Sequence, residues 1–141
     1  MHTFSKEQIH EITEQLDIGF RAFYHKQTGD LIFVPNVNKH YDIDAAAWQE
    51  EFDKLEENFF DFVEIAAMKA HDSFQVMIDF VEGLADTVLQ NKLRNALDRK
   101  KPFREFKYVI DNVGTHRQHW FDFKNKRYME WTEAQLKSGP L

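Results

Sequence analysis

The chain has 141 residues, the usual size of one domain, and its 43% hydrophobic and 30% charged residues make a globular balance rather than a disordered one. It contains no cysteine, which excludes disulfide staples, thiolate zinc sites, iron–sulfur clusters and cysteine nucleophiles. The formal net charge of −6 hides a division: residues 1–90 carry 6 Lys/Arg against 18 Asp/Glu, and residues 91–141 carry 12 against 6. Such asymmetry marks either an anion-binding face or two halves that attract each other, within one fold or across a dimer.

Taken in chain order, the first element is a helix with a strong start signal. Ser5 and Gln8 have the spacing of a capping box, and Phe4 and Ile9 stand at the staple positions around it. Ile9, Ile12 and Leu16 follow at helical spacing, and the helix is expected to end near Asp17, before Gly19. A hairpin comes next. Phe20 to His25 is rich in strand formers, Lys26 to Asp30 makes the turn with Gly29 free to take positive φ, and Leu31 to Val34 returns. Pro35 has no N–H to give a ladder, so it belongs at a strand end or sheet edge.

Asn36 to Asp42 reads as a loop. Asp44 then has the position of a helix cap, with Ile43 and Trp48 at staple spacing and Trp48, Phe52 and Leu55 as the apolar stripe. Residues 59–65, Phe-Phe-Asp-Phe-Val-Glu-Ile, read as a third strand from their length and ring content. The rest is helical. Asp72 with Gln75, and Thr87 with Gln90, have capping-box spacing ahead of apolar stripes. Pro102 suits a first helical turn, Phe103, Phe106, Ile110 and Val113 form the next stripe, and Gly114 closes it. Thr115 with Gln118 opens the last helix, whose stripe is Trp120, Phe123, Arg127 and Trp131, and which is expected to stop before Ser138-Gly139-Pro140.

These elements predict a single α+β domain over residues 1–141: a small antiparallel N-terminal sheet packed against a mainly helical C-terminal half. With 14 Phe, 4 Tyr and 3 Trp, its core is expected to be built largely from rings. The N-terminal residues hold no apolar signal core, and no stretch approaches the roughly 20 apolar residues of a membrane span. The expected compartment is the cytoplasm, with no membrane contact.

Few residues have the spacing of a chemical site. His116 and His119 are three apart on a helix, which can present two imidazoles to a metal, but no third ligand is near in sequence. They are weak metal candidates beside the alternative of two surface histidines. Asp42 and Asp44 lack the further oxygen ligands of a calcium loop. Asp61 and Glu64, an odd number apart, point to opposite faces of a strand and make no acid–base pair. No phosphate loop, dinucleotide fingerprint, nucleophile elbow or zinc-protease motif is present, so no cofactor is expected.

The basic residues are more informative. Arg94, Arg99, Lys100, Lys101, Arg104 and Lys107 fall within fourteen residues, and Arg117, Lys124, Lys126 and Arg127 add charge from the last helix. Phe103, Phe106, Tyr108, Trp120 and Phe121 lie among them. Cations interleaved with rings suit phosphate neutralisation and base stacking, whereas periodic rings alone suit a core.

The run from Ala96 to Lys107, A-L-D-R-K-K-P-F-R-E-F-K, resembles an A-L-x(4)-A/P-F-R-x-F-K signature. With Trp120-Phe121-Asp122-Phe123 and Met77-Ile78-Asp79-Phe80-Val81, it is similar to bacterial uncharacterised protein family number 158 of the UPF series. The resemblance is specific from about residue 72 onward. It departs at the end of the last helix, where Gln135-Leu136 stands in place of a Trp-Leu pair and Trp131 lies one turn earlier. It implies a fold and no activity, and it draws attention to Arg104 and Lys107. Asp79 and Glu82 are their expected partners if these cations are structural. Otherwise Lys101, Arg104, Lys107 and Arg127 are candidates to hold an anion or a partner. The leading expectation is a non-catalytic protein-interaction or regulatory module that forms a homodimer or meets another protein. The alternatives are a nucleic-acid-binding module using the basic helices, and a metal protein or enzyme with its site on the last helix.

Overall fold

The computed structural model describes residues 3–36 and 45–138. Asp42, the cap expected at Asp44, the loop from residue 37, Gly139 and Pro140 lie outside them. By their contacts the residues form two compact units, Met1–Ala67 with Met129–Leu141, and Met68–Tyr128. The class is α+β: a three-stranded antiparallel sheet in the N-terminal part and six α-helices, mostly in the C-terminal half.

In unit one, α1 (Lys6–Asp17) starts at the expected capping box. The Gln8 N–H donates to Ser5 Oγ at 3.1 Å, and the Ser5 N–H donates to Gln8 Oε1 at 2.9 Å. Gly19 at φ 93° turns the chain into β1 (Phe20–His25). Gly29 at φ 76° carries the hairpin into β2 (Leu31–Pro35), so Pro35 ends an edge strand, as its missing donor requires. A 3-10 turn at Ala45–Trp48 leads into α2 (Gln49–Glu57).

The third strand, β3 (Phe62–Ile65), is shorter than residues 59–65 suggested. Phe59–Asp61 forms a 3-10 turn instead, held by the Asp61 N–H donating to Asn58 O at 2.8 Å. Strand β3 pairs with the side of β1 opposite β2, giving the order β2-β1-β3.

The register sorts the side chains. Ala22 stands opposite Phe33 and Ile65, and Tyr24 opposite Leu31 and Val63, so these residues share one face. Ala22, Tyr24 and Ile65 are buried there with Ile12 of α1 and Leu136. Arg21, Phe23, His25, Ile32, Val34, Phe62 and Glu64 take the other face, where Phe52 and Leu55 of α2 pack against Ile32, Val34 and Phe62. The Trp131 indole N–H donates to Ala66 O at 3.1 Å, while Leu136 occupies the core. Both residues singled out near the chain's end are thus engaged in unit one.

Unit two is helical: α3 (Ala70–Glu82), α4 (Thr87–Leu97), α5 (Pro102–Ile110) and the first part of α6 (Thr115–Ser138). Two helix starts differ from expectation. Helix α3 begins at Ala70 with Lys69 as an N-cap that makes no side-chain bond, and the Gln75 amide donates to Asp79 Oδ1 instead. Helix α4 is capped by Asp86, one residue before Thr87, with the Leu89 N–H donating to Asp86 Oδ1 at 3.0 Å. The stronger acceptor took the cap, and Gln90 was released to donate to Val81 O. Pro102 opens α5 and Gly114 at φ 59° separates it from α6, both as expected. Val76, Phe80, Val81, Leu89, Leu93, Phe106, Ile110 and Trp120 make the core. Its rings meet edge to face: Phe106 and Trp120 are 4.8 Å apart and Phe80 and Trp120 5.3 Å.

Candidate interaction surfaces

Unit one carries a groove of about 660 Å³ on the α2 side of the sheet. Its floor is Phe23, Val34 and Phe62, and Phe52 and Leu55 of α2 form a wall. At its mouth Phe59 and Phe60 are 70% and 84% exposed, with ring centroids 5.4 Å apart. Single exposed apolar residues are ordinary, but adjacent phenylalanines continuous with a groove form an exposed apolar patch. The 3-10 turn is the cause. It breaks the strand alternation that would have sent one of these rings inward.

The groove's polar groups are few. Arg21 and Glu64 form a two-pronged ion pair across the strands, Nε to Oε2 and Nη2 to Oε1, both at 2.8 Å. The Glu64 hydrogen bond raises the Arg21 pKa above its ordinary value, against the cost of burial. Arg21 also lies over the Phe23 ring at 5.1 Å. Lys26 and Glu56 are the other charged residues of the lining. Rings, aliphatic groups and a closed ion pair are a chemistry of binding.

The sequence-predicted residues lie in unit two, and the structure separates them. Lys101 is the N-cap of α5, and Arg104 and Lys107 are exposed on that helix. Phe103 and Tyr108 stand beside them, 40% and 72% exposed. Positions 103, 104, 107 and 108 share one helix face, so two cations and two rings form a single strip with Lys100 and Lys101 at its head. Arg127 is engaged elsewhere. Its Nη1 donates to Asp79 Oδ2 at 2.8 Å, and its guanidinium lies over Phe123.

The partners expected for Arg104 and Lys107 therefore need correcting. Asp79 pairs with Arg127, and Glu82 pairs with Arg94 at 2.8 Å. Arg104 instead reaches its neighbour Glu105 at 3.2 Å. The reason is geometric. The carboxylates of α3 lie within reach of α4 and α6, whereas the strip on α5 points to solvent.

The Arg127 hydrogen bond, then that from Gln75, holds the Asp79 carboxyl below its ordinary value, and Arg94 does the same for Glu82. A lowered carboxyl pKa contributes stability that is complete above the unfolded value, about 4, and is lost as pH falls through the folded one. Thermal melts of the wild type and Arg127→Met should therefore differ most above about pH 5 and converge toward pH 3. Parallel curves would show that the pair does not carry this dependence.

His116 and His119 are edge to face with centroids 5.9 Å apart. His116 Nε2 is 3.7 Å from Asp86 Oδ2, and its Nδ1 is buried with no hydrogen-bond partner among the described residues. Among the described residues no three His, Asp or Glu side chains come together as a metal site, and no helix is long and apolar enough to cross a membrane. The sequence reading missed the groove. Its signal is the Phe59-Phe60 pair, which the ring content places in the third strand and the structure places in a 3-10 turn.

The chain is thus an α+β protein with an apolar groove on one unit and a basic, ring-bearing strip on the other. The chain belongs to the family described as Uncharacterised protein family (UPF0158), whose model matches residues 1–139. It is similar to the UPF0158 protein PA5073 of Pseudomonas aeruginosa, with 31% identity over 100 residues. Those residues are 70% of this chain, and the chain spans 65% of that relative's length. No solved structure matches.

Proposed function

We propose that this chain is a non-catalytic protein-interaction or regulatory module of the bacterial cytoplasm, whose groove takes an apolar segment of a protein. The observation that carries this reading is the exposed Phe59–Phe60 pair at the mouth of a groove of about 660 Å³. Clustered aromatic anchors beside a desolvated pocket are where binding energy concentrates. The cytoplasmic part rests on a chain without cysteine and, among its described residues, without a membrane-crossing helix.

A displayed peptide library selected against the full chain tests the reading. The expected result is enrichment of apolar peptides whose affinity falls about tenfold or more on Phe60→Ser, the loss of an aromatic hot spot. No enrichment, or binding indifferent to both Phe59→Ser and Phe60→Ser, sinks it. A second reading, nucleic-acid binding, draws on the strip of Phe103, Arg104, Lys107 and Tyr108, where cations and stacking rings alternate.

A further inference from the structure

The groove and the strip are complementary. Unit one carries 16 Asp/Glu against 6 Lys/Arg. Helix α2, which walls the groove, holds Glu50, Glu51, Asp53, Glu56 and Glu57 against Lys54; of these Glu56 lines the groove, beside Lys26 and the Arg21–Glu64 pair, while Glu50, Glu51 and Lys54 line a separate hollow. Unit two carries 12 Lys/Arg against 8 Asp/Glu. Its strip offers Phe103 and Tyr108 as apolar anchors between Lys101, Arg104 and Lys107. One surface is apolar and set in a strongly acidic unit, and the other is aromatic with a basic surround.

We infer that the occupant of the groove is the α5 strip of a second copy of this chain. This rests on the interaction-module reading and names the partner. Rings of the strip enter among Phe52, Phe59, Phe60 and Phe62, and Arg104 and Lys107 approach Glu56 at the groove's α2 side. A copy is favoured over a nucleic acid because a polyanion must approach a chain of net charge −6 whose unit one is strongly acidic. The contact joins two different surfaces, so association either closes as a pair of copies that exchange strips or continues head to tail into a ring or an open chain. Opposite charges across the contact steer the encounter and make it sensitive to salt.

Sedimentation velocity on the full chain tests this at low and high salt, using two double variants. One disables the groove (Glu56→Lys with Phe60→Asp), and the other reverses the strip (Arg104→Glu with Lys107→Glu). All four positions are exposed, and thermal melts confirm that both variants fold; Phe59→Asp serves as a second groove variant. The wild type is expected to associate with concentration, and its affinity to fall about tenfold or more between about 50 and 500 mM salt. Each variant alone is expected to be monomeric. Their equimolar mixture is expected to form a 1:1 dimer and nothing larger, because it contains one intact groove and one intact strip per pair.

A wild type that stays monomeric at low salt overturns the inference, and so does a mixture that stays monomeric. If the wild type is monomeric while selected peptides still occupy the groove, the second copy is the wrong occupant and the module reading stands. If the monomeric wild type binds a single-stranded oligonucleotide and the Arg104→Glu, Lys107→Glu variant does not, the strip belongs to nucleic acid and the inference falls.

Discussion

Phe106→Ala will destabilise the protein by about 3–5 kcal/mol, the range for removing a fully buried ring. Phe106 is 1% exposed and lies among Val76, Phe80, Val81, Leu89, Leu93, Ile110 and Trp120. Truncation removes the edge-to-face contact with Trp120 and leaves a hole that the close-packed side chains of α3, α4 and α6 cannot close. A typical domain has only about 5–15 kcal/mol to lose. Phe103→Ala, three residues away on the same helix, is expected to cost about 1 kcal/mol or less, since its ring is 40% exposed and meets the Phe74 ring edge to face at 6.3 Å. Urea unfolding followed by circular dichroism and tryptophan fluorescence measures both. Equal costs would mean that the buried face of α5 has been wrongly assigned, and with it the solvent-facing strip.

Ile12→Ala is expected to cost about 2–5 kcal/mol. Ile12 is 0% exposed, packed with Ala22, Tyr24, Ile65 and Leu136 where α1, the sheet and the end of α6 meet. Beside it, the Thr13 and Thr132 hydroxyls are hydrogen-bonded at 2.8 Å in a buried setting, so the backbone around the cavity is pinned and cannot relax into it. Ile12→Val, which removes one methylene, should cost about 0.5–1.5 kcal/mol. The ordering of the two variants is the informative result. An Ile12→Ala variant as stable as Ile12→Val would show that the site collapses freely and that this core is loosely packed.

The groove escaped the sequence for a definite reason. Residues 59–65 contain three phenylalanines, a valine and an isoleucine, which is the composition of a buried strand. The strand begins only at Phe62 because the 3-10 turn at Phe59–Asp61 takes the Asp61 N–H to Asn58 O, and the Asp61 carbonyl meets Lys26, already in the turn beyond β1. Nothing local separates Phe62, which is buried, from Phe60, which is exposed. The basic residues tell a similar story. In sequence they form one patch from Arg94 to Arg127. In the fold Arg94, Arg117 and Arg127 are bonded to Glu82, Asp111 and Asp79, while Lys101 and Lys107 remain on the surface of α5 with Arg104.

What the sequence by itself determined is the content that depends on neighbours within a few residues. The Ser5–Gln8 box, the Gly29 turn, Pro102 at a helix start, Gly114 between two helices and the α+β class all follow from local dihedral and capping preferences. The family, too, is legible in the sequence, from the residue run between Ala96 and Lys107 and from Trp120-Phe121-Asp122-Phe123. The tertiary structure decided three things: which side of β1 receives β3, which carboxylate each arginine finds, and which ring of a stripe is covered. Those choices are made between residues as far apart as Asp79 and Arg127, or Thr13 and Thr132. They are settled by burying many side chains at once, and no short window of sequence contains that sum.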